Sequence, residues 1–131
     1  MRFALRTTPE AGKQPPWGAT ESPFVFAHDG SYWLSITWTD GFGGPADYHE
    51  TLLFRSSNPF DFGCFSGRED EPAARLWAHA PEYLRDPDTG QWYVTSAGWP
   101  HPHCGTVIPG SVAIRELEWR ADAADDRPEG R

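Results

Sequence analysis

No run of apolar residues in this chain approaches the roughly 18 needed for a membrane-spanning helix, so no helical membrane anchor is expected. Cysteine is nearly absent. Cys64 and Cys104 are the only two, too few for the disulfide framework of a small secreted domain, and reduced thiols in a cytoplasmic protein are the expectation. Basic residues are in short supply: 11 against 19 acidic ones, a net charge of −8. That balance argues against nucleic acid and anionic membrane surfaces as partners. The opening Met1-Arg2-Phe3-Ala4-Leu5-Arg6 is too short and too charged for the core of a signal peptide. Finally, no segment carries the 3.6-residue apolar period of an amphipathic helix, so an all-β chain is expected.

The 131 residues of the chain hold 7 Trp, 8 Phe and 4 Tyr, which supply much buried area each, and 13 Gly with 13 Pro, which suit short strands and many turns. They also contain an internal repeat. Residues 21 to 37 read Glu-Ser-Pro-Phe-Val-Phe-Ala-His-Asp-Gly-Ser-Tyr-Trp-Leu-Ser-Ile-Thr, and residues 79 to 96 read His-Ala-Pro-Glu-Tyr-Leu-Arg-Asp-Pro-Asp-Thr-Gly-Gln-Trp-Tyr-Val-Thr-Ser. Both run small residue, proline, short apolar strand, Asp/Gly turn, aromatic pair and β-rich strand. Pro23 and Pro81 are 58 positions apart and Gly30 and Gly90 are 60 apart, so the second copy has two extra turn residues. A hairpin repeat of this length predicts stacked antiparallel sheets of propeller type. It puts Glu21 and His79 at equivalent points, each leading the first strand of its unit, where a propeller would turn both toward its axis.

Along the chain, residues 2 to 6 form a short strand, and a hairpin of 23 to 28 and 31 to 38 turns at Asp29-Gly30. Tyr48 to Ser56 gives a third strand, Phe60 to Gly63 an aromatic turn, and 66 to 75 a polar surface connection. The second unit begins near Leu76-Trp77, returns along Gln91 to Ala97, loops through 98 to 110 and closes with Ser111 to Trp119. The expectation is one all-β domain over 1–120 and a disordered tail over 121–131, where apolar periodicity is lost. Each unit amounts to one blade. Propellers have about four to eight, so two blades leave open edges; the chain is expected to be part of a longer protein, or copies are expected to assemble into a ring.

Several stretches resemble a known family. Glu21-Ser22-Pro23-Phe24-Val25-Phe26 with Asp29-Gly30-Ser31-Tyr32-Trp33-Leu34 is similar to the acid-bearing blade of five-bladed β-propeller glycoside hydrolases of families 43 and 32. Leu53-Phe54-Arg55-Ser56-Ser57-Asn58-Pro59-Phe60-Asp61-Phe62-Gly63 resembles the next strand and turn there, Ala78-His79-Ala80-Pro81-Glu82 with Asp88 to Val94 the following blade, and Val112 to Trp119 a closing strand. The resemblance covers roughly residues 17 to 119 and only the later blades. It implies a partial, about two-blade, five-bladed propeller acting on or recognising a glycosidic carbohydrate, without a cofactor. Glu21 matches the position of the general acid that protonates the departing oxygen. The second carboxylate of that chemistry belongs to the first blade and has no counterpart here. Arg85-Asp86-Pro87 spells a family 32 tripeptide, but it falls in a hairpin turn and the match is accidental.

Each candidate has a plainer reading. Glu21 could merely accept bonds from strand-end amides, and His79 could be a structural histidine; as repeat partners they are instead read as catalytic acid and substrate-binding residue. Trp17, Trp38 and Trp99 flank strand ends and could stack on sugar rings or pack between sheets, whereas Trp33, Trp92 and Tyr93 read as core. His101-Pro102-His103-Cys104, with Cys64, suggests zinc, yet its spacing lacks the usual gaps and no Cys-x-x-Cys is present; a polar loop is preferred and no metal is expected. The leading function is glycoside hydrolase-like, inactive as an isolated chain. The alternatives are a non-catalytic carbohydrate-binding or assembly module, and a metal-dependent enzyme built on the His-Pro-His-Cys run.

Overall fold

The computed structural model describes residues 4–7, 19–39, 49–65, 72–97, 112–120 and 123–125. These residues form β1 (Arg6–Thr7), β2 (Ala19–His28), β3 (Ser31–Thr39), β4 (His49–Ser56), β5 (Cys64–Phe65), β6 (Ala74–Leu76), β7 (Tyr83–Arg85), β8 (Trp92–Ala97), β9 (Val112–Arg120) and β10 (Ala123–Asp125). Among the described residues there is no helix, and hence none long and apolar enough to cross a membrane. The strands build two four-stranded antiparallel meanders, β2-β3-β4-β6 and β7-β8-β9-β10, plus a two-residue parallel pairing of β1 with β5. No closed sheet forms among the described residues.

Both repeat hairpins are present, and their turns explain the difference in length. In the first, His28 pairs with Ser31 around Asp29 and Gly30, whose φ values of 50° and 75° give the two-residue, mirror-image turn that matches strand twist. In the second, Asp86 Oδ1 accepts bonds from the amides of Asp88 (2.8 Å) and Thr89 (3.3 Å). The Gly90 amide donates to the Asp86 carbonyl, with Gly90 at φ 77°. The two extra residues are thus taken up by an aspartate-capped loop. Those amides hold the Asp86 carboxyl below its usual range.

Two expectations need correction at the ends of the sheets. Leu76 does not open the second unit. Ala74–Leu76 is the fourth strand of the first sheet, pairing Ala74 with Leu53 and Leu76 with Thr51, and both Ala74 and Leu76 are buried. Its three residues carry too little pattern to stand out within a polar connection. Likewise Ala123–Asp125, inside the segment expected to be a disordered tail, pairs with Glu118 to Arg120 as the last strand of the second sheet.

The first sheet is buried on both faces. One face gives Trp33, Leu53, Ala74 and Leu76 to a core completed by Trp92, Val94 and Leu117 of the second sheet, with Phe26, Tyr83 and Trp119 packed around it. The other gives Leu34, Ile36, Trp38, Leu52 and Phe54, covered by Phe62, Phe65, Ala4 and Leu5. Buried Glu50 also lies on that side, paired with Arg75. Among the described residues the second sheet is covered on one face alone: Leu84, Val112 and Ile114, on its far face, are 63, 81 and 68% exposed.

At the end of the first hairpin the His28 ring stacks on Trp119 at 3.8 Å and meets the edge of Trp92 at 5.4 Å. Burial there lowers the His28 pKa from its ordinary 6.5; Asp29 opposes the shift and Arg85 adds to it. The unfolded chain therefore takes up this proton first as pH falls. Stability should be full above pH 6.5 and decline as pH drops toward the lowered folded value. Unfolding free energies measured from pH 7.5 to 5 should fall less steeply for His28→Phe, which keeps the stack; equal slopes would contradict this assignment.

Candidate functional site

Glu21 and His79 meet. The His79 Nε2 and Glu21 Oε1 atoms lie 2.7 Å apart, across 58 residues of chain and between the two units of the repeat. The Glu21 side chain is 51% exposed and that of His79 23%.

The position of Glu21 depends on a bulge. Glu21 pairs with Thr37 and Phe24 with Ser35, so Ser22 and Pro23 together oppose Ile36. Side chains alternate along a strand, and one inserted residue reverses which face the following positions occupy. Phe24 and Phe26 pair with Ser35 and Trp33, on the face toward the second sheet. With a regular register Glu21 would lie on the opposite face from them; the bulge returns it to theirs. Proline is tolerated at this point because a bulge on an edge strand demands no ladder donor. Ser22 takes φ 53°, in the left-handed region. Ala80, its repeat equivalent, takes φ 48°. Each stands between a site residue and a proline, so the repeat extends to a shared backbone irregularity. Non-glycine residues in that region cost about 1–2 kcal/mol each, and such strain tends to gather at functional positions.

His79 is held through its backbone and its ring. Its amide donates to Ser96 Oγ at 2.9 Å, its carbonyl accepts from the Ala97 amide at 2.8 Å, and its ring Nδ1 lies 3.2 Å from the Ala97 carbonyl oxygen. These bonds tie it to β8. The flanking residues are tied to the first sheet: the Ala80 amide donates to Thr37 Oγ1 at 2.8 Å, and Thr51 Oγ1 donates to the Ala78 carbonyl at 2.8 Å. The two threonine hydroxyls stand 3.5 Å apart. A proton can be assigned to every bond in the resulting chain, from the Ala80 amide through Thr37 and Thr51 to the Ala78 carbonyl. Nearby, the Tyr83 hydroxyl donates to Ser35 Oγ at 2.7 Å. Ser35, Thr37, Thr51 and Ser96 are all buried. This hydroxyl seam was not anticipated from sequence, where its members read as ordinary polar strand positions.

The remaining candidates separate clearly. Trp38 pairs with Thr20 and Glu50, on the face away from Glu21. It is 5% exposed and packs edge-on against Phe65 at 5.6 Å. The sugar-stacking expectation for Trp38 is therefore corrected: strand alternation sends it into the second core, and it is a packing residue. Trp17 and Trp99 lie outside the described residues, as do His101, His103 and Cys104. Cys64 is an exposed free thiol. Among the described residues no group of three or more His, Cys, Asp and Glu side chains could hold a metal ion. Trp33 and Trp92 are buried as expected, and Tyr93 is half-buried.

A scan against protein-family models finds no match for the chain, and a search of curated proteins finds no significant one.

Thr51→Val keeps the shape of the side chain but strands the buried Ala78 carbonyl and removes the acceptor of the Thr37 hydroxyl. An unpaired buried polar group costs about 1–3 kcal/mol, and denaturant unfolding of this variant should register a loss of that size. A loss near zero would show that the seam does not hold the His79 segment in place.

Proposed function

We propose that this chain is a glycoside hydrolase-like propeller segment that recognises a glycosidic substrate, with Glu21 as the proton donor to the departing oxygen and His79 as part of the binding surface. The observation that carries this reading is the Glu21–His79 hydrogen bond, made between the leading residues of two equivalent units. The half-exposed carboxylate is open to a ligand, and the His79 ring is held at both nitrogens, by the Ala97 carbonyl and by Glu21.

The propeller part of the reading draws support from topology. The two meanders run in the same order, and the chain passes from β6, last strand of one, to β7, first strand of the next. They stack face to face through the shared core. β2 and β7, the first strands, adjoin each other, with Phe26 and Tyr83 stacked at 4.5 Å. The exposed Leu84, Val112 and Ile114 on the far face of the second sheet offer a further sheet of the same kind a place to pack, as a ring of blades requires.

In the chemistry, the Glu21 proton goes to the glycosidic oxygen as the C–O bond breaks and its electron pair moves to that oxygen. Water then completes hydrolysis, directly or after a carboxylate has attacked the sugar. No residue of the repeat corresponds to that second carboxylate, so the reading leaves it to another blade of the assembly.

The purified chain alone should turn over aryl arabinosides, xylosides and fructosides little or not at all; robust turnover would refute the missing-carboxylate argument. In an active assembly, Glu21→Gln should lower kcat by roughly 10²–10⁴-fold, the usual worth of general acid catalysis, and leave oligosaccharide affinity within a few-fold. Unchanged hydrolysis would remove Glu21 from catalysis. Sugar binding without turnover in every assembly tested would instead establish the non-catalytic binding module.

A further inference from the structure

The two ring nitrogens of His79 face different acceptors, and that fact constrains where protons can be. Nδ1 lies 3.2 Å from the Ala97 carbonyl oxygen. A carbonyl oxygen accepts hydrogen bonds and cannot donate, so the nitrogen facing it carries the hydrogen. Nε2 lies 2.7 Å from Glu21 Oε1. A carboxylate oxygen only accepts, and an unprotonated ring nitrogen only accepts, so this contact is stable with one proton in it and repulsive with none. With Nδ1 protonated, two arrangements satisfy it: imidazolium with carboxylate, or neutral imidazole protonated at Nδ1 with carboxylic acid. They carry the same total charge and differ by a short transfer along one hydrogen bond.

From this geometry we infer that Glu21 and His79 form a one-proton dyad, in which the Ala97 carbonyl selects the His79 tautomer and His79 is the positioning residue that keeps a proton at the Glu21 carboxyl group. The inference deepens the proposed function and rests on it for the use to which the proton is put; the dyad itself stands on the distances alone. Its construction explains the surrounding architecture. The ring can present Nε2 to Glu21 only while Nδ1 is engaged, and Nδ1 is engaged because the His79 backbone is bonded on both sides to Ser96 and Ala97 at the end of β8. Exposure is graded in the order a donor needs: the Glu21 side chain is 51% exposed and that of His79 23%. A ligand oxygen therefore reaches the Glu21 carboxyl group more readily than the His79 ring nitrogens. When the proton passes to that oxygen, the dyad is left one proton short, with two acceptors facing each other, and regains a proton from water.

The full chain labelled with 15N-histidine gives a direct test by long-range 1H–15N correlation at His79. The expected result is an Nδ1 that bears its hydrogen and an Nε2 that shares a proton with Glu21. A strongly deshielded proton between Nε2 and Oε1 should also be visible, and it should vanish in Glu21→Gln while the Nδ1–H signal remains. Glu21 is half-exposed, and the glutamine keeps its size, so unchanged backbone spectra are expected and confirm folding of the variant. A neutral ring found mainly as the Nε2–H form with a bare Nδ1 would overturn the inference, as would a deshielded proton that persists in Glu21→Gln. Failure of sugar binding would refute the glycosidic reading and leave the dyad intact; the wrong tautomer would refute the dyad even if sugars bind.

Discussion

Everything about the candidate site depends on the short segment from Ala78 to Pro81, lodged between two sheets and bonded to both. A chain crossing a sheet interface carries amides and carbonyls that water cannot reach, and each must find a partner. Here the partners are side-chain hydroxyls. Thr37 and Thr51 take the groups on one side, Ser96 and the Ala97 amide those on the other. Each bond contributes about 1 kcal/mol net, but leaving one unmade costs more than making it returns. The segment therefore has one position, and the His79 ring inherits that position.

The first unit solves the same problem from the strand. Glu21 belongs to β2 itself and reaches the interface side because the Ser22-Pro23 bulge reverses strand parity. Ser22 and Ala80, both in left-handed conformation, are the points at which the two copies of the repeat depart from regular β geometry. The costs of these departures are offset by the core between the sheets, where Trp33, Leu53, Leu76, Val94 and Leu117 are at most 5% exposed. A regular strand would have been cheaper for stability and would have faced Glu21 away from His79. The irregularity is thus tied to the meeting of the two side chains.

Much of this was legible in the sequence, and the exceptions have specific causes. The Pro…Gly-aromatic pattern identified both hairpins, the two-residue difference between their turns, and the equivalence of Glu21 and His79. The face of Trp38 was not legible, because β3 is buried on both sides: from Trp33 to Trp38 each residue is inside, so no alternation between apolar and polar marks one face from the other. β6 was hidden by its length and β10 by its acidic setting. The hydroxyl seam was invisible for a different reason. Serine and threonine in strands read as solvent-facing, and only the passage of another backbone segment across them turns them into buried bonding groups.

The central claim is that the paired Glu21 and His79 form a surface that receives a sugar. Backbone amide shifts of the 15N-labelled chain, recorded during titration with arabino-, xylo- and fructo-oligosaccharides, test it most directly. The account predicts saturable shifts centred on residues 20–22, 79–80 and 96–97. Shifts confined to the exposed face of Leu84, Val112 and Ile114, or no shifts with any of the three sugars at millimolar concentration, would contradict it.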